Sequence, residues 1–152
     1  MAASDDDPPL FQVLNEIGII AQLSRTMLER ALPDGLKVAH FSVLNHFVRL
    51  EGTLGPARSP AQLARAFQVT KAAMTNTLQR LESRGLVEIT PDAHDGRAKV
   101  VHITPAGVAM RQQALETISR EYAPLAGAIG EVPGAILPFL RDLRARLDSA
   151  RD

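Results

Sequence analysis

Apolar positions recur along this chain in two rhythms, and the switch between them organises it. From Leu10 to about Leu32 the spacing is helical: Leu10, Leu14, Ile17, Ala21 and Leu28 form one stripe, with Ile20, Leu23 and Met27 beside it. A helix apolar on two sides needs more than one neighbour. Pro33, Asp34 and Gly35 end it. A second helix, about Lys37 to Leu50, sets Val38, Phe41, Leu44 and Val48 at core spacing before "EGTLGPAR" (51–58) stops it. Ser59, Pro60 and Gln62 then give the sharpest start signal in the chain: an N-cap, a proline at the first helical position, and a side chain placed to close a capping box. Leu63, Ala64 and Phe67 supply this short helix with its apolar face, and Gln68-Val69-Thr70 interrupts it, with Thr70 placed to cap the next. That next helix runs to about Arg84. Its apolar side is thin, just Met74, Leu78 and Leu81, whereas Ala72, Thr75, Asn76, Gln79 and Ser83 lie opposite, a face that calls for a polar partner. Gly85 stops it, and Leu86 stands where a Schellman ending brings it onto Leu81.

Beyond Gly85 the period drops to two. "LVEIT" (86–90) and "AKVVHIT" (98–104) read as strands around "PDAHDGR", in which Asp95-Gly96 is a hairpin-turn signal. Thr104-Pro105 repeats the cap-and-proline device and opens a long helix with Val108, Leu115, Ile118, Tyr122, Leu125 and Ile129 at heptad spacing. "GAIGEVPGA" (127–135) breaks that pattern, and a last helix through Leu147 carries Ile136, Leu140, Leu143 and Leu147 in the same rhythm.

Two short helices joined by a three-residue turn and followed at once by a hairpin make a winged helix-turn-helix. The predicted class is therefore mainly α with a small β-hairpin wing. Residues 1–9 form a flexible acidic leader, 35–104 the winged domain, and 10–34 with 105–152 helical arms. The arms carry more apolar stripe than one small domain hides, which predicts a two-fold homodimer made through them.

Composition narrows the chemistry. Aromatic residues are 4% of the chain, with no Trp and one Tyr, which disfavours a carbohydrate groove or a stacking platform for single-stranded nucleic acid. Cys is absent, removing disulfides, thiolate nucleophiles and Cys-bearing zinc sites together. The start "MAASDDDPPL" lacks the basic and apolar runs of a signal peptide, and no window has the roughly 18 consecutive apolar residues of a membrane span, so the expectation is a soluble, cytoplasmic protein without a membrane partner. Formal net charge is zero, yet it is unevenly placed. Residues 1–34 hold two Arg against six acids, while 58–104 hold seven Lys and Arg against four acids. The basic excess surrounds the helix-turn-helix.

The stretch "SPAQLARAFQVTKAAMTNTLQRLESRGLVEITPDAHDGRAKVVHITPAG" (59–107) closely resembles the winged-helix core of the MarR family of bacterial transcription regulators. The resemblance rests on "T…LQRLESRGLV" with its glycine stop, on Asp92, Asp95 and Arg97 in a D-x-x-D-x-R wing pattern, and on "ITPAG" opening the long helix. It implies an obligate dimer that binds a pseudo-palindromic operator in double-stranded DNA, acting as a repressor and released by a small, commonly aromatic, effector. Three departures stand out: Gly96 occupies a wing position that is basic in many relatives, the segment "GAIGEVPGAILP" between the last two helices is unusually rich in Gly and Pro, and the thiol of the redox-sensing branch is missing.

If the helix from Thr70 to Arg84 enters a major groove, Thr75 and Asn76 are suited to read base edges, Asn bidentately on adenine and the Thr methyl against thymine. Ala72 and Ala73 let the helix come close; Lys71, Gln79 and Arg80 suit phosphates, and Ser59 and Thr70 sit at helix N-termini, where an anion is favoured. Arg97 at the hairpin tip is the candidate for the minor groove, with Lys99 behind it on the backbone. Asp92 and Asp95 are assigned to holding the wing's shape, by accepting hydrogen bonds from a guanidinium or from turn N–H groups. His40 and Phe41 are candidates for an effector pocket, against the plainer reading of a helix-end His beside a core Phe. His40, His46, His94 and His102 have no metal-ligand spacing, and no nucleophile elbow or Gly-rich phosphate loop accompanies the Ser, His and Asp present, so neither a metal, a cofactor nor an enzyme is expected. The rival to DNA binding is a winged helix whose polar face docks on another protein.

Overall fold

The computed structural model describes residues 6–51 and 58–151. The first five residues of the acidic leader, and 52–57 of the segment read as ending the second helix, lie outside them. Six helices and a hairpin follow one another: α1 (Pro9–Ala31), α2 (Val38–Glu51), α3 (Pro60–Ala66), α4 (Lys71–Ser83), β1 (Val87–Pro91), β2 (Lys99–Ile103), α5 (Pro105–Ile129) and α6 (Val132–Ser149). The chain forms two compact units, Met1–Ile118 and Ser119–Asp152.

The core of the first unit gathers one apolar face from each element. Leu44 and Phe47 of α2, Leu63 of α3, Leu78 and Leu81 of α4 and Val101 of β2 are fully buried, with Leu36, Leu86, Val87 and Ile103 around them. Each such side chain contributes about 1.5–3 kcal/mol of transfer free energy. Ala114, with no exposed surface, and Gly107 bring the first half of α5 onto this core, which is why the compact unit runs on to Ile118 instead of ending with the wing.

Side-chain bonds tie the connecting segments down. Asp34, in the loop before α2, has φ of 52°; its carbonyl accepts from the Arg84 guanidinium (3.2 Å) and its carboxylate from the Gln113 amide (3.2 Å). Asn45 Oδ1 accepts from both Nε and a terminal nitrogen of Arg111 (3.2 and 3.0 Å), joining α2 to α5. The hairpin is antiparallel with Ile89 opposite Val101 and Val87 opposite Ile103, so these four apolar residues share the core side. Arg58 adds a one-residue bridge on the far edge of β2, exchanging both backbone bonds with Val101 (3.1 and 2.6 Å).

His40 is buried at the start of α2, and its Nδ1 accepts the Lys37 backbone N–H (3.3 Å). Burial first, then the positive charges of Arg84, Arg80 and Lys37, hold its pKa below the usual histidine value. The folded state therefore keeps this imidazole neutral where the unfolded chain takes up a proton. The contribution of His40 to stability is expected to be flat above about pH 6.5, to fall as the pH drops from there to the lower folded pKa, and to level off below it, with His46, also lowered by burial, acting in the same direction. Urea midpoints at about pH 7.5 and about pH 5.5 check this, with His40→Gln expected to show a smaller loss than the unsubstituted chain.

The second unit holds the end of α5 and all of α6, separated by Gly130 at φ 60°. Its apolar residues are mostly uncovered: Val132 is 60% exposed and Phe139 54%, with Ile136 and Leu147 similar. Leu10, Ile20 and Leu23 of α1 are likewise exposed, Leu23 to 68%. Among the described residues no single helix is long and apolar enough to cross a membrane.

Candidate nucleic-acid interface

The helix-turn-helix is built from caps. Ser59 Oγ accepts the Gln62 N–H (3.1 Å) while Gln62 Oε1 accepts the Ser59 N–H (3.0 Å), closing the capping box of α3. At the other end of α3 the chain turns through Gln68 at φ 52°, with Val69 N–H returning to the Ala64 carbonyl (3.0 Å). This is a Schellman ending with glutamine in the place glycine usually takes. Thr70 Oγ1 then accepts the Ala73 N–H (3.1 Å) and starts α4.

The finish of α4 is equally specified. Gly85, at φ 69°, donates to the Glu82 carbonyl (2.8 Å), and Leu86 donates to that of Leu81 (3.0 Å), the two bonds of a Schellman motif. Thr104 joins this ending to α5: its hydroxyl donates to the Gly85 carbonyl (2.6 Å) and accepts the Gly107 N–H (3.0 Å). One face of α4 is fixed by Met74, Leu78 and Leu81, exposed by 3% or less. Lys71, Ala72, Ala73, Thr75, Asn76, Gln79 and Arg80 are all exposed.

The tip of the wing is shaped by two carboxylates acting on backbone. Asp92 Oδ1 accepts the N–H groups of His94 (2.7 Å) and Asp95 (3.1 Å), and Asp95 Oδ1 accepts that of Arg97 (3.0 Å). The turn runs from the Asp95 carbonyl to the Ala98 N–H (2.9 Å). It is therefore not a two-residue Asp-Gly hairpin turn, which needs φ above zero at Gly96; Gly96 stays outside the left-handed region and lies inside a longer loop.

Between α4 and the wing lies a groove of about 590 Å³. Ser59, Pro60 and Ala61 close one end; Lys71, Thr75, Leu78, Gln79 and Glu82 of α4 form one wall; Ile89, Arg97, Ala98 and Lys99 form the other. Lys71, Arg97 and Lys99 are exposed, and none of the three makes an ion pair among the described residues. Cations left without carboxylate partners around a concave surface give it a positive potential.

The structure thus brings Ser59, Lys71, Thr75, Gln79, Arg97 and Lys99 together on one groove, while Thr70, Ala72, Ala73, Asn76 and Arg80 are exposed on or beside α4 outside its lining. His40 and Phe41 do not line it; Phe41 packs in the core. Glu82 was not among the expected residues. Its Oε1 accepts the Ile89 N–H (3.2 Å), tying the wing to α4. Its sequence position held the signal, because Lys71, Thr75, Leu78 and Glu82 are spaced by four, three and four residues, one helical stripe. Among the described residues no group of His, Asp and Glu is placed to hold a metal.

Fold and surface define a winged helix-turn-helix protein with a basic groove beside its second short helix. Residues 34–98 match the MarR family. A transcriptional repressor of Mycobacterium bovis, Mb2911, is 32% identical over 110 residues, covering 72% of this chain and 73% of that protein. A match to the uncharacterised regulator YdgG of Bacillus subtilis, at 35% identity, spans about half of each protein, 51%. Among solved structures, the transcriptional regulator BldR of Sulfolobus solfataricus superposes with a TM-score of 0.74 at 27% identity, over 90% of this chain and 94% of that one. A variant of MarR from E. coli complexed with operator DNA gives 0.66 at 25%, over 91% and 97%. The chain belongs to the MarR family of transcription regulators.

Proposed function

We propose that this regulator works as a homodimer which lays α4 of each copy in a major groove of duplex DNA and each wing in the neighbouring minor groove, repressing transcription from a pseudo-palindromic operator. The observation that carries the reading is the groove between α4 and the wing, around which Lys71, Arg97 and Lys99 make no ion pair among the described residues. A helix in the major groove and a loop in the minor groove must straddle the phosphate strand that separates them, and that strand needs a positive channel. Thr75 and Asn76 then face base edges, and Arg97 reaches the minor groove. The E. coli relative solved with operator DNA supports the same use of the fold, and the M. bovis relative named a repressor supports repression.

The dimer is supported by the apolar residues of α1 and α6 that a single chain leaves uncovered. Release by a small aromatic ligand is supported by family membership; adding aromatic acids to the bound complex tests it directly.

Selection of bound fragments from random duplex DNA tests the whole reading. The expected product is an inverted repeat with half-sites about one helical turn apart, ~34–36 Å. Repeating the selection with Asn76→Ala should relax one position in each half-site while its neighbours stay fixed. Recovery of fragments with no symmetry, or none at all, would remove the proposal.

A further inference from the structure

We infer that Glu82 is an electrostatic brake on DNA binding: its carboxylate lies in the channel meant for the phosphate strand and limits affinity without affecting base preference. This rests on the proposed DNA reading. Glu82 lines the same groove as Lys71, Arg97 and Lys99, yet it forms no ion pair with any of them. The charge is therefore not there as the partner of a cation. Its one hydrogen bond, from the Ile89 N–H to Oε1, sets the wing against α4 and needs an acceptor oxygen, which the neutral amide of glutamine also provides. The structural role and the charge are separable, and the charge remains to be explained.

A fixed negative charge beside a phosphate strand acts on every DNA sequence alike, because phosphates are the same at every step. It opposes the counterion release that the three cations drive. The brake shortens the bound state on operator and non-operator DNA together, leaving discrimination to the outward face of α4. It also keeps the complex within reach of whatever displaces it, since a ligand has less binding free energy to overcome.

The experiment measures binding of the full chain to a mixed-sequence duplex and to a selected operator duplex, each about three helical turns long, over a series of salt concentrations. Glu82→Gln keeps the bond to Ile89 and removes the charge. It should bind both duplexes about three- to tenfold more tightly at ~0.1 M salt, with the slope of log affinity against log salt steeper by up to about 0.9. Glu82→Ala, lacking the acceptor for Ile89, should gain less than Glu82→Gln. If the unsubstituted protein binds no duplex, the DNA reading fails and the brake with it. If it binds, and Glu82→Gln is no tighter or no more salt-sensitive than the unsubstituted protein, the brake alone is overturned.

Discussion

Gly107→Ala is expected to destabilise the protein by about 3 kcal/mol, the upper end of what overpacking a tight core costs. At a chain of this size that lowers the thermal midpoint by roughly 6–12 °C. The reason is backbone contact. A Cβ on Gly107 would run into the Leu86 carbonyl oxygen and stand 2.8 Å from Ile103 Cγ1. The carbonyl has little freedom to move, because it accepts the Thr104 N–H (3.2 Å) at the junction where α4 ends and α5 begins. Gly85→Ala provides the comparison: nothing lies within 4 Å of its Cβ position, and only the φ of 69° resists, at about 1 kcal/mol. Thermal unfolding of the two variants should rank Gly107→Ala well below Gly85→Ala. Equal midpoints would mean that α5 does not approach Leu86 this closely.

The other large effect is expected on DNA. Lys71→Ala, Arg97→Ala and Lys99→Ala combined should reduce affinity about a hundred- to a thousandfold at ~0.1 M salt and flatten the salt slope by up to about 2.7, if each cation neutralises one phosphate. All three stand exposed on the groove without ion-pair partners among the described residues, so the fold should be unchanged by circular dichroism. Most of the loss should be shared by operator and mixed-sequence DNA, because Lys71 and Lys99 meet phosphates, while Arg97 in the minor groove adds a smaller part that favours the operator. A loss confined to the operator would mean that these residues read bases and that the division of labour with Asn76 is wrong.

The helices were legible because their ends announce themselves locally. Ser59 with Gln62, Thr70, Gly85 and Thr104 each make the bond their position in the sequence suggests, to partners three residues away. The outward face of α4 was legible for the same reason, since Met74, Leu78 and Leu81 could occupy only one side. The hairpin was legible too, and its turn does run through Asp95 and Gly96; what the dipeptide did not announce is that Asp92 captures two N–H groups and holds the loop in a longer form. Contacts between residues far apart in sequence left no local trace: Arg84 on Asp34, Gln113 on Asp34, and the one-residue bridge of Arg58. Gly107 drew notice only as part of a motif, because the need for glycine there comes from Leu86, which approaches from across the fold. The net charge of residues 58–104 conceals Glu82, because what matters at the groove is which side of α4 each charge occupies.

Helix α4 is pinned from both ends by backbone and hydroxyl bonds and from beneath by three apolar side chains, so that, apart from the bond between Glu82 and Ile89, nothing holding it in place comes from its outward face. Substitutions on such a face usually change stability by no more than about 0.5 kcal/mol. Mutation can therefore rewrite Ala72, Ala73, Thr75, Asn76 and Gln79 almost freely, and lineages descending from this chain could acquire new genomic addresses while inheriting an untouched scaffold.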